Sequence, residues 1–470
     1  MIKNYFYKLL ATYLSLYIRP DNSVIEINPL SDHLATYFNK AKVLFIRKNS
    51  KENSYSGNTT SQAHVSPKET YYSKNSQQGV MSAVVDMEQV GTEEPVQHSP
   101  DYILLSGNIH YEEDIQTFLS DLRTIHHPST RLLIVYYNSL WKPFMQLATF
   151  LKLRDKTPEL NWIAPEDMEN FLRLTNYEIV RTDSKILFPI YIPLVSTFIN
   201  KFIAPLPIFR YFCMVNITVA KPANDFYTQS IPSVSIIVPA RNEAGNIENI
   251  IRRIPQMGNE DEIIFVEGNS TDNTWQVIQQ MYEKYKYEKN IRIAKQEGKG
   301  KADAVRKGFS IASKDILMIL DADLTVPAED LPKFYKAIAN GKGEFINGSR
   351  LVYPMEKEAM RFFNIIGNKF FALGFSFVLG QRFKDTLCGT KVISRENYQK
   401  LSANRKYFGD FDPFGDFDLL FGAARMGLKI VEVPITYKER TYGTTNIQRW
   451  KHGMILLRML LFAAGKFKFI

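Results

Sequence analysis

Short apolar runs recur along the chain, each ending in polar residues, and stretches with helical spacing lie between them. The run in "DNSVIEINPL" reads as a short buried strand, as do those in "DYILLSGN" and "TRLLIVYYN"; "APEDMENFLRLTNY" reads as a helix before the strand "EIVRTDS". A proline-dotted stretch, "LFPIYIPLVSTFINKFIAPLPIFRYF", precedes a last strand, "CMVNITVAKP". After "ANDFYTQSIP", which reads as a linker, a second series starts at Ser233: strands "VSIIVPA", "DEIIFVEG", "IRIAKQ", "DILMILDAD" and "GEFINGSR" alternate with helical stretches. That alternation predicts a parallel, doubly wound α/β sheet, whose ligands bind beyond the carboxyl ends of its strands. A chain of 470 residues is too long for one ordinary core. Two domains are expected, 1–222 and 233–470, joined by a linker at 223–232.

From about Lys48 to Pro100 the pattern collapses into Ser, Asn, Gln, Thr and Lys, which predicts a disordered low-complexity insertion over about 48–100. The first twenty residues, "MIKNYFYKLLATYLSLYIRP", hold Lys8 within their apolar stretch and read as an amphipathic helix rather than a signal peptide. No segment supplies about 20 uninterrupted apolar residues. Two come close: Arg361–Arg382 is broken by Asn364, Asn368 and Lys369, and Met454–Ile470 by Arg458, Lys466 and Lys468. Apolar faces edged by cations suit helices lying in a membrane interface. Buried helices with snorkelling basic residues are the other reading.

Composition adds a direction. Net charge is +9, which favours phosphate-bearing partners or an anionic membrane face. From Lys438 to Ile470 seven Lys or Arg stand against Glu439 alone, again pointing to an anionic membrane surface. The basic residues cluster with apolar segments instead of interleaving with aromatics, which excludes nucleic acid as the expected partner. Cys213 and Cys388 lack metal-ligand spacing, against a thiolate zinc site or a disulfide framework.

The chemistry concentrates at strand ends in the second half. Asp321 and Asp323 follow the run "ILMIL"; in extended chain they project to one side, where they can share a hard divalent cation, Mg²⁺ or Mn²⁺. A solvated turn or a helix cap is the blander use of such a pair. Pro239, Ala240, Arg241, Asn242 and Glu243 close the first strand of this half, and Glu267, Asn269, Ser270 and Asp272 close the second. "EGKGKADAVRKGF" supplies a Gly/Lys turn before a helix, a phosphate neighbour.

In these motifs and their order, the region from Ser233 to Ile470 resembles the family 2 inverting glycosyltransferases with the A-type nucleotide-sugar fold, closest to dolichyl- or polyprenyl-phosphate sugar synthases. The resemblance implies that Pro239, Ala240, Arg241 and Glu243 border the donor nucleotide, GDP- or UDP-linked. It implies that Glu267 seats the nucleoside, and that Asp321 and Asp323 hold the cation against the diphosphate. The second motif commonly reads Val-Asp-Asp-Gly-Ser in that family; here Val266, Glu267, Gly268, Asn269 and Ser270 carry one acid fewer. Thr325 stands where lipid-phosphate synthases offer a further polar metal contact.

A lipid-phosphate acceptor is already an anion and needs cationic seats, for which Arg350, Arg361 and Arg440 are the candidates. Relatives acting on sugar hydroxyls use a general base at the position of Asp416, so a saccharide or protein hydroxyl acceptor stays open. Alternatively Asp416 caps the helix that follows it. "DTLCGTK" (Asp385–Lys391) resembles the family's acceptor-side strand, with Gly389 allowing close approach. The expected activity is metal-dependent, inverting hexose transfer to a polyprenyl phosphate at the cytoplasmic membrane face, the protein being peripheral there. A non-catalytic membrane scaffold is the reading from a different class.

Residues from about Ile18 to Pro222 resemble a class I methyltransferase, on "SVIEINPLSDHL", "DYILLSGNIHYEEDIQTFLSDLRTIHHPSTRLLIVYYN" and the hairpin-like end. The glycine-rich turn such enzymes need after the first strand is replaced by Asn28, Pro29, Leu30, Ser31 and Asp32. The expectation is a methyltransferase-like Rossmann shell that binds no adenosylmethionine. His110, His126 and His127 read as exposed loop residues.

Overall fold

The structure, a computed structural model, describes residues 2–27, 34, 42–46, 100–123, 126–152, 154, 157, 159–223, 231–352, 362–405, 417–438, 442 and 449–470. The predicted insertion at 48–100 falls almost wholly outside them. So do most of the predicted linker and the turn at Asn28–Asp32. The chain divides into two compact units, Met1–Ala223 with Phe469–Ile470, and Asn224–Lys468.

The first unit opens with helix α1 (Ile2–Leu14) and strands β1 (Ser23–Ile27) and β2 (Lys42–Ile46). It continues through β3 (Tyr102–Ser106), α2 (Ile115–Leu122), β4 (Arg131–Tyr137), α3 (Lys142–Phe150) and α4 (Pro165–Leu174). β5 (Tyr177–Lys185), the short α5 (Val195–Phe198) and β6 (Val215–Pro222) complete it. The sheet order is β2-β1-β3-β4-β6-β5. β1 to β4 pair in parallel, and β6 runs antiparallel to both neighbours. Alternate residues of one strand feed opposite faces. Leu104 and Leu133 pack beside Tyr13 and Leu14 of α1, while Leu105 and Leu132 pack beside Phe118 of α2 and Leu172 of α4.

Two of the histidines expected on loops are inside. His110 Nδ1 lies 2.7 Å from the Asn161 carbonyl, and its Nε2 accepts from the Tyr137 amide at 2.8 Å. His126 sits between the Tyr177 hydroxyl at 2.9 Å and the Thr130 carbonyl at 3.2 Å. Burial therefore corrects the sequence reading for both; His127 is exposed. Desolvation lowers the pKa of His110 and pushes that of His126 down to about 3.

The second unit runs β7 (Val234–Ala240), α6 (Ile247–Arg253), β8 (Glu262–Glu267), α7 (Thr274–Tyr285), β9 (Ile291–Lys295), α8 (Gly300–Ile311) and β10 (Ile316–Ile319). Then come α9 (Leu331–Ala339), β11 (Phe345–Ser349), α10 (Phe362–Leu379), β12 (Lys391–Ser394) and α11 (Arg395–Ala403). α12 (Phe417–Arg425), β13 (Ile430–Pro434) and α13 (Arg449–Phe467) follow. The order is β13-β11-β12-β10-β7-β8-β9. The sheet is mixed, not parallel as expected, because β12 runs antiparallel to β10 and β11. "DTLCGTK" is likewise not a strand: all but its last residue forms the turn that reverses the chain into β12.

Ile237 and Ile264 face α8 and the later helices, in one core with Phe309, Phe375 and Phe417. Ile236 and Val238 face the other way, beside Ile250, Ile278 and Phe334. α10 and α13 pack together, Gly374 meeting Leu460 so closely that a β-carbon there would lie 2.7 Å from Leu460 Cδ2. Each buries one face and leaves apolar side chains on the other: Ile366, Phe370 and Leu373 on α10, Met454 and Leu461 on α13. Among the described residues no helix is long and apolar enough to cross a membrane.

Candidate active site

Three parallel strands, β7, β8 and β10, deliver their carboxyl ends to one edge of the second sheet. At each end one non-glycine residue takes a left-handed backbone: Asn242 at φ 56°, Asn269 at φ 57° and Leu324 at φ 51°. Asparagine enters this region at modest cost; a leucine there is uncommon, and such conformations gather at functional sites. Side-chain bonds hold the turns together. Asn242 donates its amide N–H to Ser270 Oγ at 3.1 Å and accepts from the Thr271 amide at 2.8 Å. Gly268 N–H donates to the Ala240 carbonyl at 2.8 Å.

The predicted nucleotide-side residues come together here. Pro239 and Ala240 are the last two residues of β7, and Arg241 is exposed just beyond them. Glu243 is buried; its amide donates to Thr274 Oγ1 at 3.0 Å, and its carboxylate accepts from Asn246 Nδ2 at 2.7 Å. Glu267, also buried, accepts from the Ser270 amide at 2.5 Å and so shapes the β8 turn. Asn269 Nδ2 reaches the Gly298 carbonyl at 3.1 Å, tying β8 to the Gly/Lys turn before α8.

Asp321 and Asp323 stand half-buried past β10. Thr325 donates to Asp323 Oδ1 through its amide at 3.1 Å and its hydroxyl at 2.9 Å, which fixes that carboxylate. Lys301, in the first turn of α8, places Nζ 2.5 Å from Asp321 Oδ1. A β-carbon on Gly389 would collide with Asp321 Oδ2 and Lys301 Nζ and push that pair out of its present position. Sequence reasoning noted the Gly/Lys turn without choosing Lys301. Its place as the second residue of the helix opened by that Gly/Lys turn was the usable signal.

Arg350 follows β11 and is engaged. Its Nε lies 2.6 Å from Asp385 Oδ2 and its Nη2 2.8 Å from Oδ1, and Asn368 Nδ2 adds a third bond at 3.0 Å. Burial opposes ionisation of Asp385, yet the guanidinium and these bonds outweigh it and hold the carboxyl below its usual range. Asp385 thus holds the guanidinium fork that the sequence reading offers to an acceptor phosphate. In the sequence Asp385 reads only as the first residue of a strand-like run. Around the pair, the buried hydroxyls of Ser349, Thr386 and Thr390 have no hydrogen-bond partner among the described residues. Arg361, Arg440 and Asp416 lie outside the described residues.

The site can receive an anion at Lys301 and a cation at the two aspartates. Among the described residues no group of three His, Cys, Asp or Glu forms. Mg²⁺ does not need one, since it binds through one or two carboxylates with substrate phosphates and water. Two carboxylates two residues apart, one of them already drawing a cationic ammonium, supply the hard oxygens such an ion takes.

Residues 235–402 match the family described as Glycosyl transferase family 2. Dolichol-phosphate mannosyltransferase of Pyrococcus furiosus is 33% identical over 221 residues, covering 46% of this chain and 59% of the relative. The UDP-N-acetylglucosamine–dolichyl-phosphate N-acetylglucosaminyltransferase of Methanococcus voltae is 28% identical over 254 residues, covering 50% of this chain and 97% of the relative. Among solved structures, glucosyl-3-phosphoglycerate synthase from Mycobacterium tuberculosis, in complex with Mn²⁺, UDP and glucosyl-3-phosphoglycerate, aligns with a TM-score of 0.37 and 20% identity. That alignment covers 50% of this chain and 80% of the other. The second unit is thus related to the family 2 glycosyltransferases, at moderate identity and over part of the chain. This chain spans about three-fifths of the length of the Pyrococcus relative.

Proposed function

We propose that the second unit transfers a hexose from a GDP- or UDP-linked sugar to a polyprenyl phosphate, with inversion, at the cytoplasmic face of a membrane. The observation that carries this reading is the Lys301–Asp321 contact beside Asp323, at the carboxyl end of β10. Such an edge is where open α/β sheets bind their ligands. Mg²⁺ or Mn²⁺ held by Asp321 and Asp323 would supply charge stabilisation to the departing diphosphate. Lys301 exchanges its aspartate for a phosphate oxygen when donor binds. Glu243 and Glu267 brace the turns around the nucleoside, with Pro239, Ala240 and Arg241 along its edge.

The acceptor phosphate is anionic at neutral pH, so no strong base is required of the protein. Arg361 and Arg440 are proposed to seat it, and Arg350, through Asp385, positions the loop beside it. The apolar outer faces of α10 and α13, with exposed Lys369 and Arg458 nearby, suit a membrane interface. The antiparallel β6 between β4 and β5 supports reading the first unit as a methyltransferase-like shell; no adenosylmethionine is expected on it.

The test is a panel of radiolabelled nucleotide-sugars against a short-chain polyprenyl phosphate with Mg²⁺ or Mn²⁺. Label moving into the organic phase is expected. Label found only in water-soluble saccharide or protein would favour a hydroxyl acceptor with Asp416 as base, and no transfer with any donor would leave a scaffold.

A further inference from the structure

Two neighbouring segments of the first unit have their polarity inverted. Between Ile190 and Phe212 twelve large hydrophobic side chains are exposed, among them Leu194 at 86% and Ile208 at 72%. Two polar side chains of the same stretch point inward: Ser196 is 0% exposed and Asn200 2%. Both are spent on the backbone. Asn200 accepts from the Phe188 amide at 2.9 Å and donates to its carbonyl at 2.7 Å, and Ser196 Oγ donates to the Ile192 carbonyl at 2.8 Å. Leu194 is held at φ 65°, an uncommon conformation for a leucine, and it is the most exposed side chain of the stretch.

The second segment is α3 with the residues around it. Of that helix only Met145 is buried. Leu140, Phe144, Leu147 and Leu151 recur at helical spacing and are all exposed, with Phe150 at 82%. A soluble helix does the reverse and turns such a stripe to the core. The two segments are joined: Trp141 Nε1 donates to the Phe212 carbonyl at 2.8 Å, and Asn138 Nδ2 to the Tyr211 carbonyl at 2.9 Å. Together they place seventeen exposed large hydrophobics on one connected region. Soluble monomers rarely carry so large an apolar surface without a partner for it.

Charge selects the partner. From 131 to 154 and from 184 to 223 the chain holds no Asp or Glu. Exposed Lys142, Lys152 and Arg210 edge the region. Arg210 lies 5.1 Å from the centre of the Tyr211 ring, the arrangement of a basic side chain snorkelling past an aromatic one. A protein partner would be expected to meet at least one acid. An anionic bilayer asks for apolar insertion, internally satisfied backbone and a cationic rim.

We propose that the first unit is itself a membrane-docking module, inserting the 190–212 segment and the outer face of α3 into an anionic lipid surface. The inference rests on this unit alone and is independent of the interface proposed for α10 and α13.

The test uses the full chain with one environment-sensitive fluorophore at Leu194→Cys, at Phe144→Cys, or at Leu373→Cys on α10. Cys213 and Cys388 are buried, so labelling is selective. Vesicles are phosphatidylcholine alone, or with about one-third phosphatidylserine to supply surface potential. The labels at 194 and 144 are expected to shift to the blue and brighten severalfold with the anionic vesicles, and to be quenched by lipids brominated in their acyl chains. In unlabelled protein, L194D with F198D should weaken vesicle partition about tenfold or more, a change equivalent to about 1.4 kcal/mol. Response at 373 with silence at 194 and 144 would overturn the inference and leave the α10–α13 face standing. Response at 194 without lipid, rising with protein concentration as a dimer forms, would overturn it in favour of a second copy.

Discussion

Lys301 Nζ and Asp321 Oδ1 lie 2.5 Å apart, and Gly389 packs so closely against both that a β-carbon there would displace them. A lysine in the first turn of α8 thus closes on the carboxylate that ends β10. Lys301→Ala should leave the fold intact, since both partners are partly solvated and such pairs contribute little to stability. Donor KM should rise about tenfold or more as a charged phosphate contact is lost, which initial-rate kinetics would read.

Asp323→Ala removes one of the two carboxylates proposed to hold the cation. Transfer should fall by a factor of about 10² to 10³, the scale of losing one electrostatic stabiliser, with an unchanged melting transition. Full metal-dependent turnover in this variant would contradict the role given to Asp323.

Gly389→Ala places a β-carbon into the space held by Asp321 and Lys301. The two end groups must shift aside, which costs little stability because both sit on flexible, partly exposed side chains. Activity should fall further than stability does. Comparing denaturant midpoints with transfer rates in the same preparation would separate the two.

Asp385→Ala leaves the buried Arg350 guanidinium without its partner. A loss of about 3–5 kcal/mol is expected. The double variant Arg350→Met with Asp385→Leu should recover part of it, because no unpaired charge remains. Urea unfolding of the single and double variants measures this. If the single variant is as stable as the parent, the buried pair does not hold the loop.

Both buried histidines of the first unit are neutral in the fold, and their lowered pKa values give a pH dependence with a definite sign. The unfolded chain takes up protons near the ordinary value of 6.5, whereas folded His126 resists down to about 3. The His126 contribution is complete above 6.5 and is lost progressively as pH falls toward 3, and His110 acts in the same direction. The first unit's thermal transition should therefore drop between pH 7 and 5, and replacing His126 with Gln should flatten that slope. An unchanged slope would place the cause elsewhere.

Strands β7 to β11 and the grouping of Asp321, Asp323, Glu243 and Glu267 were legible because a buried parallel strand announces itself as an apolar run with polar chemistry at its end. What escaped depended on contacts distant in sequence. Whether Arg350 meets a ligand or Asp385 is decided by the turn some 35 residues on. The antiparallel course of β12 is set by the 385–390 turn, whose short run resembles a strand. His110 and His126 sit in polar loop-like stretches, and only packing against Tyr137 and Tyr177 buries them. The inverted polarity of the 190–212 segment was hidden for a similar reason: an apolar run does not reveal which way its side chains turn.

Asp321 and Asp323 are proposed to bind a nucleoside diphosphate through a divalent cation. Titration calorimetry of GDP and UDP, with and without Mn²⁺, on the parent chain and on D321N with D323N tests it most directly. Mn²⁺-dependent binding of at least one nucleotide to the parent is expected, with its loss in the double variant. Equal binding by both proteins, indifferent to Mn²⁺, would contradict it.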